Sequence, residues 1–410
     1  MSFVITGIGV VSPFGIGKEI FWQKLEEGTS AVKKISSFDV SPFSVKVAAE
    51  LKDFDPASFL GKKGLRNLDR SSLFLLVAAK LALEERELEI NEENTDKIGV
   101  ATATTFSHFW PIVEFDKEVF KEGFDFASPA LFPLTVISAP SSAVSIRYNI
   151  QGFNTTLSSG FPSAVDALNY SFVALATNKA ELVLSCAVET LNFYLFFGLH
   201  KLKYMAGING SLINCPYDRR RNGPVLGEGA TVLIIEDEKR AKEEKAKIYA
   251  KINGIGLHFD SLHIGKIHPQ GRGLEEAIKK AMEKAGISLD DIDCIFSCAN
   301  SSYDLDRIEI KVLKKIFGKN LNKIPVTSIK SMIGESFSAS AGLQMVAGIG
   351  ALLRGVIPPT INYKEKDPDC YTDSLVRKPS RKEIKRILIT SFGPGGYNGA
   401  CILEKYVGGN

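Results

Sequence analysis

"TTLSSGFPSAVDAL", Thr155 to Leu168, decides how this sequence is read. Its β-branched start, Ser-Ser-Gly turn and helical run from Pro162 make a strand end, a tight turn and the first turns of a buried helix. That geometry aims one side chain and several free backbone N–H groups at a common point. Enzymes often mount a nucleophile there. Here the aimed residue is Phe161, which has no nucleophilic atom.

Outward from this stretch, apolar β-rich runs alternate with helical patterns. Strands are predicted at 3–7, 98–103, 182–186, 230–236, 250–255, 294–298, 386–391 and 400–405. Helices are predicted at 18–27, 70–85, 162–178, 273–285, 306–317 and 338–354. Alternating elements with nearly continuous apolar strands predict an α/β fold around a buried sheet. The charged run "EDEKRAKEEKAK" (236–247) reads as a solvated helix joining two halves, 1–237 and 238–410. Each half holds one Ala/Ser/Gly-rich helix, "SAVDALNYSFVALAT" and "SFSASAGLQMVAGIGALL", which suggests a duplicated fold without readable sequence repetition.

The 410 residues are 45% hydrophobic and 24% charged, ordinary for a globular enzyme, and a net charge of +3 is too small to predict nucleic-acid binding. None of the six cysteines forms a CxxC pair, and no His/Cys cluster has metal-ligand spacing, so no metal or other cofactor is expected. Free thiols, no signal-peptide pattern and no apolar run of membrane-spanning length read as a cytoplasmic protein.

Three further stretches carry chemistry-bearing residues. In "CPYDRRRNGPVLGEGATVLIIED" (215–237), Pro216, Asp218, Arg221, Gly227 and Glu228 read as a loop tied down by an Arg–carboxylate network, with a catalytic Glu228 as the lesser alternative. Asp306 and Glu309 are grouped with them as a structural motif. In "SIKSMIGES" (328–336), Lys330 stands among small and apolar residues, where a charge is costly unless paired. A structural ion pair and a functional lysine both remain open. "SFGPGGYNGA" (391–400) is a Gly-rich loop between strands without a nucleotide-binding signature.

Together with "VITGIGVVSPFG", "NLDRSSLFLLVAAKLALEE", "SIRYNIQGFNTTLSS" and "GVIPPTINY", these stretches cover nearly the whole chain, and it resembles the β-ketoacyl-acyl-carrier-protein synthases of type II. The resemblance implies a thiolase-like fold of two βαβαβαββ halves in α-β-α-β-α layers, a dimer and an acyl-carrier-protein partner. It implies a cysteine nucleophile, two histidines for malonyl decarboxylation and an oxyanion hole. Placed on this chain, the cysteine slot holds Phe161, the first histidine slot Cys298 and the second Glu335, and only Lys330 is retained. The oxyanion loop reads Gly393-Pro394-Gly395, and proline has no N–H to donate. Losing one such donor costs roughly 3–4 kcal/mol. The five histidines (108, 200, 258, 263, 268) all lie outside these slots.

The resemblance thus implies an inactive homologue, a chain-length-factor-like subunit partnering an active ketosynthase in fatty-acid, polyene or polyketide biosynthesis. In the aromatic-polyketide examples the cysteine slot usually holds glutamine, which this chain does not match. Two alternatives stand beside it. One is an acyl-transfer or thioester-hydrolysing enzyme using Cys298 with Lys330 and Glu335, since a thiol beside an ammonium can ionise. The other is a homodimeric pseudoenzyme that binds carrier protein or acyl chains. The aromatic runs 106–110 and 191–200 read as tunnel lining, dimer interface or plain core.

Overall fold

The computed structural model describes residues 2–408. Ten strands form the core: β1 (Phe3–Ser12), β2 (Ile98–Ala103), β3 (Asn154–Leu157), β4 (Leu182–Glu189), β5 (Gly229–Asp237), β6 (Ala250–Phe259), β7 (Cys294–Phe296), β8 (Val326–Thr327), β9 (Arg386–Phe392) and β10 (Tyr397–Lys405). Six helices complete the repeat: α1 (Arg70–Arg86), α2 (Ala139–Tyr148), α3 (Ser163–Ala176), α4 (Arg272–Ala285), α5 (Tyr303–Phe317) and α6 (Ser340–Arg354).

The sheet order is β8-β7-β9-β10-β6-β1-β5-β4-β2-β3. Outward from β1 and from β6, each half reads first, fifth, fourth, second and third strand of its own sequence. The pair directions also agree: two antiparallel, then two parallel. The halves meet where β1 pairs with β6, Phe3 opposite Ile252, Val4 opposite Lys251 and Ile5 opposite Ala250. Each half runs βαβαβαββ, which is the thiolase-like fold.

The duplication is readable after all, in "ITGIG" (5–9) of β1 and "INGIG" (252–256) of β6. A Cβ at Gly9 would stand 1.7 Å from the Ala78 carbonyl oxygen of α1, and one at Gly256 would stand 1.9 Å from that of Ala277 in α4. Each half therefore needs a glycine on its first strand so that its first helix can lie close. The shared spacing is only five residues long, too short to stand out by composition.

Helices α3 and α6 pack on each other and on strands of both halves of the sheet, forming the middle layer. Every residue from Ser340 to Leu352 is buried, which is why that helix lacks a charged face. Small residues permit the approach: a Cβ at Gly342 would fall 2.2 Å from Thr231 Oγ1 on β5. The charged linker is a short helix, Glu238–Glu243, capped by Asp237. Sequence patterning missed the helices at 109–122, 139–148 and 193–201, and the short strands β3 and β8. Seven of the fourteen residues of Phe109–Glu122 are Phe, Trp, Ile or Val, so an apolar stripe was there to be read, although the structure buries only Pro111.

Candidate functional site

The turn before α3 is built as its sequence suggests. Gly160 adopts φ +73° and Pro162 caps the helix. Ser163 Oγ accepts the Ser159 N–H at 2.9 Å and donates to the Gly160 carbonyl at 2.6 Å. Phe161 follows Gly160, buried, with its carbonyl accepting from Ser391 Oγ at 3.0 Å. Its ring lies against the backbone of Gly393, where a Cβ would come within 2.4 Å of it. The Phe337 ring meets it edge-on at 5.5 Å, Phe106 meets Phe337 at 5.2 Å, and Phe109 meets Phe106 at 5.8 Å. Four aromatic rings in series thus fill the space in front of the α3 N-terminus. The aromatic run at 106–110 divides accordingly: Phe106 and Phe109 join the plug, whereas Ser107 and Trp110 border a separate cavity.

Opposite the plug, Lys330 Nζ stands 5.7 Å above the Phe161 ring and donates to Glu335 Oε2 at 2.8 Å. Both residues are buried. Glu335 is saturated: Oε2 also accepts from Asn300 Nδ2 at 2.7 Å, and Oε1 accepts from the Phe337 N–H at 2.8 Å and Ser340 Oγ at 2.6 Å. Lys330 is thus held in a buried ion pair. Phe337 sits at φ +46°, a strained position for a non-glycine residue. The Glu335 bond to its N–H fixes it there.

Cys298 is fully buried near this pair. Its N–H donates to Glu309 Oε1 at 3.0 Å, and its thiol faces the Phe392 carbonyl at 3.9 Å. Burial pushes the thiol well above its ordinary pKa, the Glu309 carboxylate pushes it further, and the pull of Lys330 ranks behind both. The expectation that the ammonium would favour a thiolate is therefore corrected: Glu335 already engages that ammonium.

In the loop after β9, Gly393 underlies the plug, Pro394 is half-buried, and Gly395 is exposed at φ +130°. A cavity of about 670 Å³ opens beside Pro394, with Tyr204, Ser302, Tyr303 and Arg307 in its walls. Phe161, Cys298, Lys330 and Glu335 line none of it. His108 is the histidine nearest the plug in sequence, and burial holds its pKa below the ordinary value.

The loop residues are structural, with partners the sequence did not reveal. Pro216 is buried. Glu228 takes Arg70 in a two-pronged pair at 2.6 and 3.0 Å and the Leu51 and Leu191 N–H groups, partners that fit an Arg–carboxylate network. Arg221 pairs with Asp367 and lies 3.9 Å from Asp306. Asp218 would be raised by burial, but Arg220 and three backbone N–H groups hold it at about 2. Burial pushes Asp306 up to about 7 although Arg221 pulls it down; it accepts the Tyr217 and Asn300 N–H groups. Glu309 accepts from Tyr217 and Ser297 hydroxyls at 2.8 and 2.7 Å. Gly227 lies so close to Glu335 that its N–H donates to the Glu335 carbonyl at 2.8 Å. Phe337, Asn300 and Asn214, whose side-chain amide donates to the Lys330 carbonyl at 2.5 Å, were missed as site residues. Asn300 was the readable one, a polar side chain two residues from the Cys298 slot.

No group of three or more His, Cys, Asp or Glu able to hold a metal occurs among the described residues. Among the described residues no helix is long and apolar enough to cross a membrane.

Two family descriptions match: beta-ketoacyl synthase, N-terminal domain, over residues 2–241, and beta-ketoacyl synthase, C-terminal domain, over residues 249–364. The chain is 33% identical over 406 residues to 3-oxoacyl-[acyl-carrier-protein] synthase 2 of Coxiella burnetii, covering 98% of each. It is 31% identical to the tetracenomycin polyketide synthase ketoacyl synthase alpha subunit of Streptomyces glaucescens, covering 98% of this chain and 96% of that one. Among solved structures, the ishigamide ketosynthase/chain length factor superposes with a TM-score of 0.92 at 24% identity, covering 99% of both chains. A beta-ketoacyl synthase from Burkholderia phymatum gives 0.90 at 24%, covering 99% of this chain and 100% of that one. With domain matches, full-length relatives and the repeated βαβαβαββ halves in agreement, this chain belongs to the β-ketoacyl synthase family.

Proposed function

We propose that this chain is a catalytically silent ketosynthase homologue that serves as a chain-length-factor-like partner of an active ketosynthase in fatty-acid, polyene or polyketide biosynthesis. The observation that carries the reading is the filled slot: Phe161 and its aromatic neighbours occupy the place of the nucleophile. The resemblance adds that neither imidazole slot holds an imidazole, and that Pro394 lacks the donor of the oxyanion loop. Relatives with names of active synthases share the family, but activity needs the residues themselves.

Two surface features support a partner role. The segment before α2 leaves Phe120 and Phe124 exposed at 89% and 88%, and Ile146 of α2 is exposed at 82%. Apolar groups this bare fit a face that a second subunit covers. β3 is an edge strand of its sheet. The cavity beside Pro394, with Arg307 and Lys203 in its walls, suits the phosphorylated arm of an acyl carrier protein that enters and meets no nucleophile.

Intact-protein mass spectrometry with acyl- and malonyl-carrier protein tests the silence. No acyl adduct and no CO₂ release are expected from this chain alone. A stoichiometric adduct that disappears in Cys298→Ala overturns the reading in favour of an acyl-transfer enzyme. Native mass spectrometry after co-expression with an active type II ketosynthase tests the partnership. A one-to-one heterodimer is expected, and a homodimer that excludes the synthase overturns it.

A further inference from the structure

A cleft of about 330 Å³ lies between the two-residue strands Lys33–Lys34 and Val47–Ala48, the loop from Leu212 to Val225 and the segment at 362–364. It shares no lining residue with the cavity beside Pro394 or with the one at Trp110. One wall is apolar, made by Val32, Val47 and Leu212. Two other wall residues hold the backbone of the buried ion pair. Asn214 Nδ2 donates to the Lys330 carbonyl at 2.5 Å, and the Val225 carbonyl accepts the Glu335 N–H at 2.8 Å. The volume is within the range of small-ligand sites.

The polar groups of the cleft have donors to spare. Arg220 gives Nε and Nη2 to Asp218 at 2.8 and 2.9 Å and Nη2 also to the Asn362 carbonyl at 3.0 Å. Its Nη1 takes no partner among the described residues. Asp218 is already occupied by that guanidinium and by the N–H groups of Arg220, Lys364 and Glu365. Lys364 Nζ pairs with no carboxylate among the described residues, and Ser30 Oγ accepts the Val32 N–H at 3.3 Å with its own hydrogen free to donate. Lys34 stands directly opposite Val47 and so shares its face, which puts a further cation at the rim. Glu365 lies 3.6 Å from Arg220 Nε, on the edge that faces Asp218, and does not line the cleft. The Asn214 amide spends its Nδ2 on Lys330, which leaves Oδ1 as an acceptor.

We propose that this cleft binds a small phosphate monoester. Three separate donor groups, Arg220 Nη1, Lys364 Nζ and Ser30 Oγ, match the three terminal oxygens of a phosphoryl group, whereas a carboxylate has only two. Two of the three bonds are charge-assisted. A hydroxyl on the body of the ligand donates to Asn214 Oδ1. The inference is independent of the partner role, and either can fail without the other.

Isothermal titration calorimetry of the whole chain with glycerol phosphate is expected to show one saturable site. Glycerol, which lacks the phosphoryl group, is expected to give no saturable heat. Glycerate, with one oxygen fewer, is expected to bind about tenfold more weakly, and inorganic phosphate, with no hydroxylated body, about 3- to 10-fold more weakly. Lys364 is exposed, so Lys364→Met is expected to keep the melting temperature while weakening glycerol phosphate at least about tenfold. Lys33→Met removes the same charge from the opposite face of the strand pair and is expected to leave the affinity unchanged. No saturable heat up to about 10 mM ligand would overturn the proposal. So would equal affinity for glycerate or for inorganic phosphate, or full affinity in Lys364→Met. An equal loss in Lys33→Met would also overturn it, because surface charge in general would then account for the binding.

Discussion

Phe161 and Glu335 occupy equivalent places in the two halves, each in the segment leading into the third helix of its repeat, α3 or α6. The two places have been closed by opposite chemistry. In the first half the slot is apolar: a ring packed on Gly393 and Phe337 with no polar side-chain atom to satisfy. In the second it is ionic: a carboxylate with a buried lysine and three further donors. Removing a ring removes packing. Removing one ion leaves an unpaired buried charge, which costs more than the pair gains. The fold therefore accommodates either kind of filling, but the second leaves a more brittle structure.

The largest expected effect sits at the ionic slot. Glu335→Ala strands Lys330 and releases the strained Phe337, and should destabilise the protein by about 3–5 kcal/mol in a denaturant titration. The double variant Lys330→Met/Glu335→Leu should recover much of that loss, because it removes both charges. A single variant that costs less than about 1 kcal/mol would mean the pair is solvated, and the contrast between the halves would collapse.

Glu189 sharpens the comparison from the apolar side. Its carboxyl is buried at the end of β4, accepting the Thr105 and Phe106 N–H groups at 3.1 and 2.8 Å and the Ser338 hydroxyl, so it braces the plug. Burial pushes it from 4.5 up to about 7 despite those bonds. The folded state thus holds a proton that the unfolded state releases. Its stabilising contribution is complete below pH 4.5 and is lost as pH rises through about 7. At about 1.4 kcal/mol per pH unit that amounts to about 3 kcal/mol. Stability measured from pH 5 to 8 should fall by that order, and Glu189→Gln should flatten the slope. A slope unchanged in the variant would place the titration elsewhere, with Asp306, also raised to about 7, the first group to examine.

Most of the fold was legible because its strands are short apolar runs bounded by turns, and β2 begins and ends at the predicted residues. The two-residue β8 was too short to be legible, whereas the apolar stripe of Phe109–Glu122 was present in the sequence and went unread. At the site, the slots of Phe161, Cys298, Glu335 and Pro394 were assigned through the resemblance to the family. Their partners were not. Arg70 reaches Glu228 across 158 residues, and Asp367 reaches Arg221 across 146. Such pairings depend on three-dimensional proximity, and no local pattern encodes them. The Phe337 ring was invisible for a further reason: its place depends on a left-handed backbone that a phenylalanine seldom adopts.

The smallest of these stability effects belongs to Phe161→Cys, and it bears most directly on function. Trading a buried ring for a thiol opens a cavity against Phe337 and Gly393, for an expected loss of about 2–3 kcal/mol. The new sulfur would sit at a helix N-terminus, near a lysine that Glu335 already neutralises. Alkylation by iodoacetamide, followed by mass spectrometry, should therefore show slow modification at residue 161, and no CO₂ should be released from malonyl-carrier protein. Adding Glu335→His to restore an imidazole would remove the carboxylate that holds Lys330, Asn300 and Phe337, so each step toward chemistry is expected to lower stability. Decarboxylation by the single Phe161→Cys variant would break the comparison at its root. It would show that the ring alone silences the site, and that the ionic slot and Pro394 still permit catalysis.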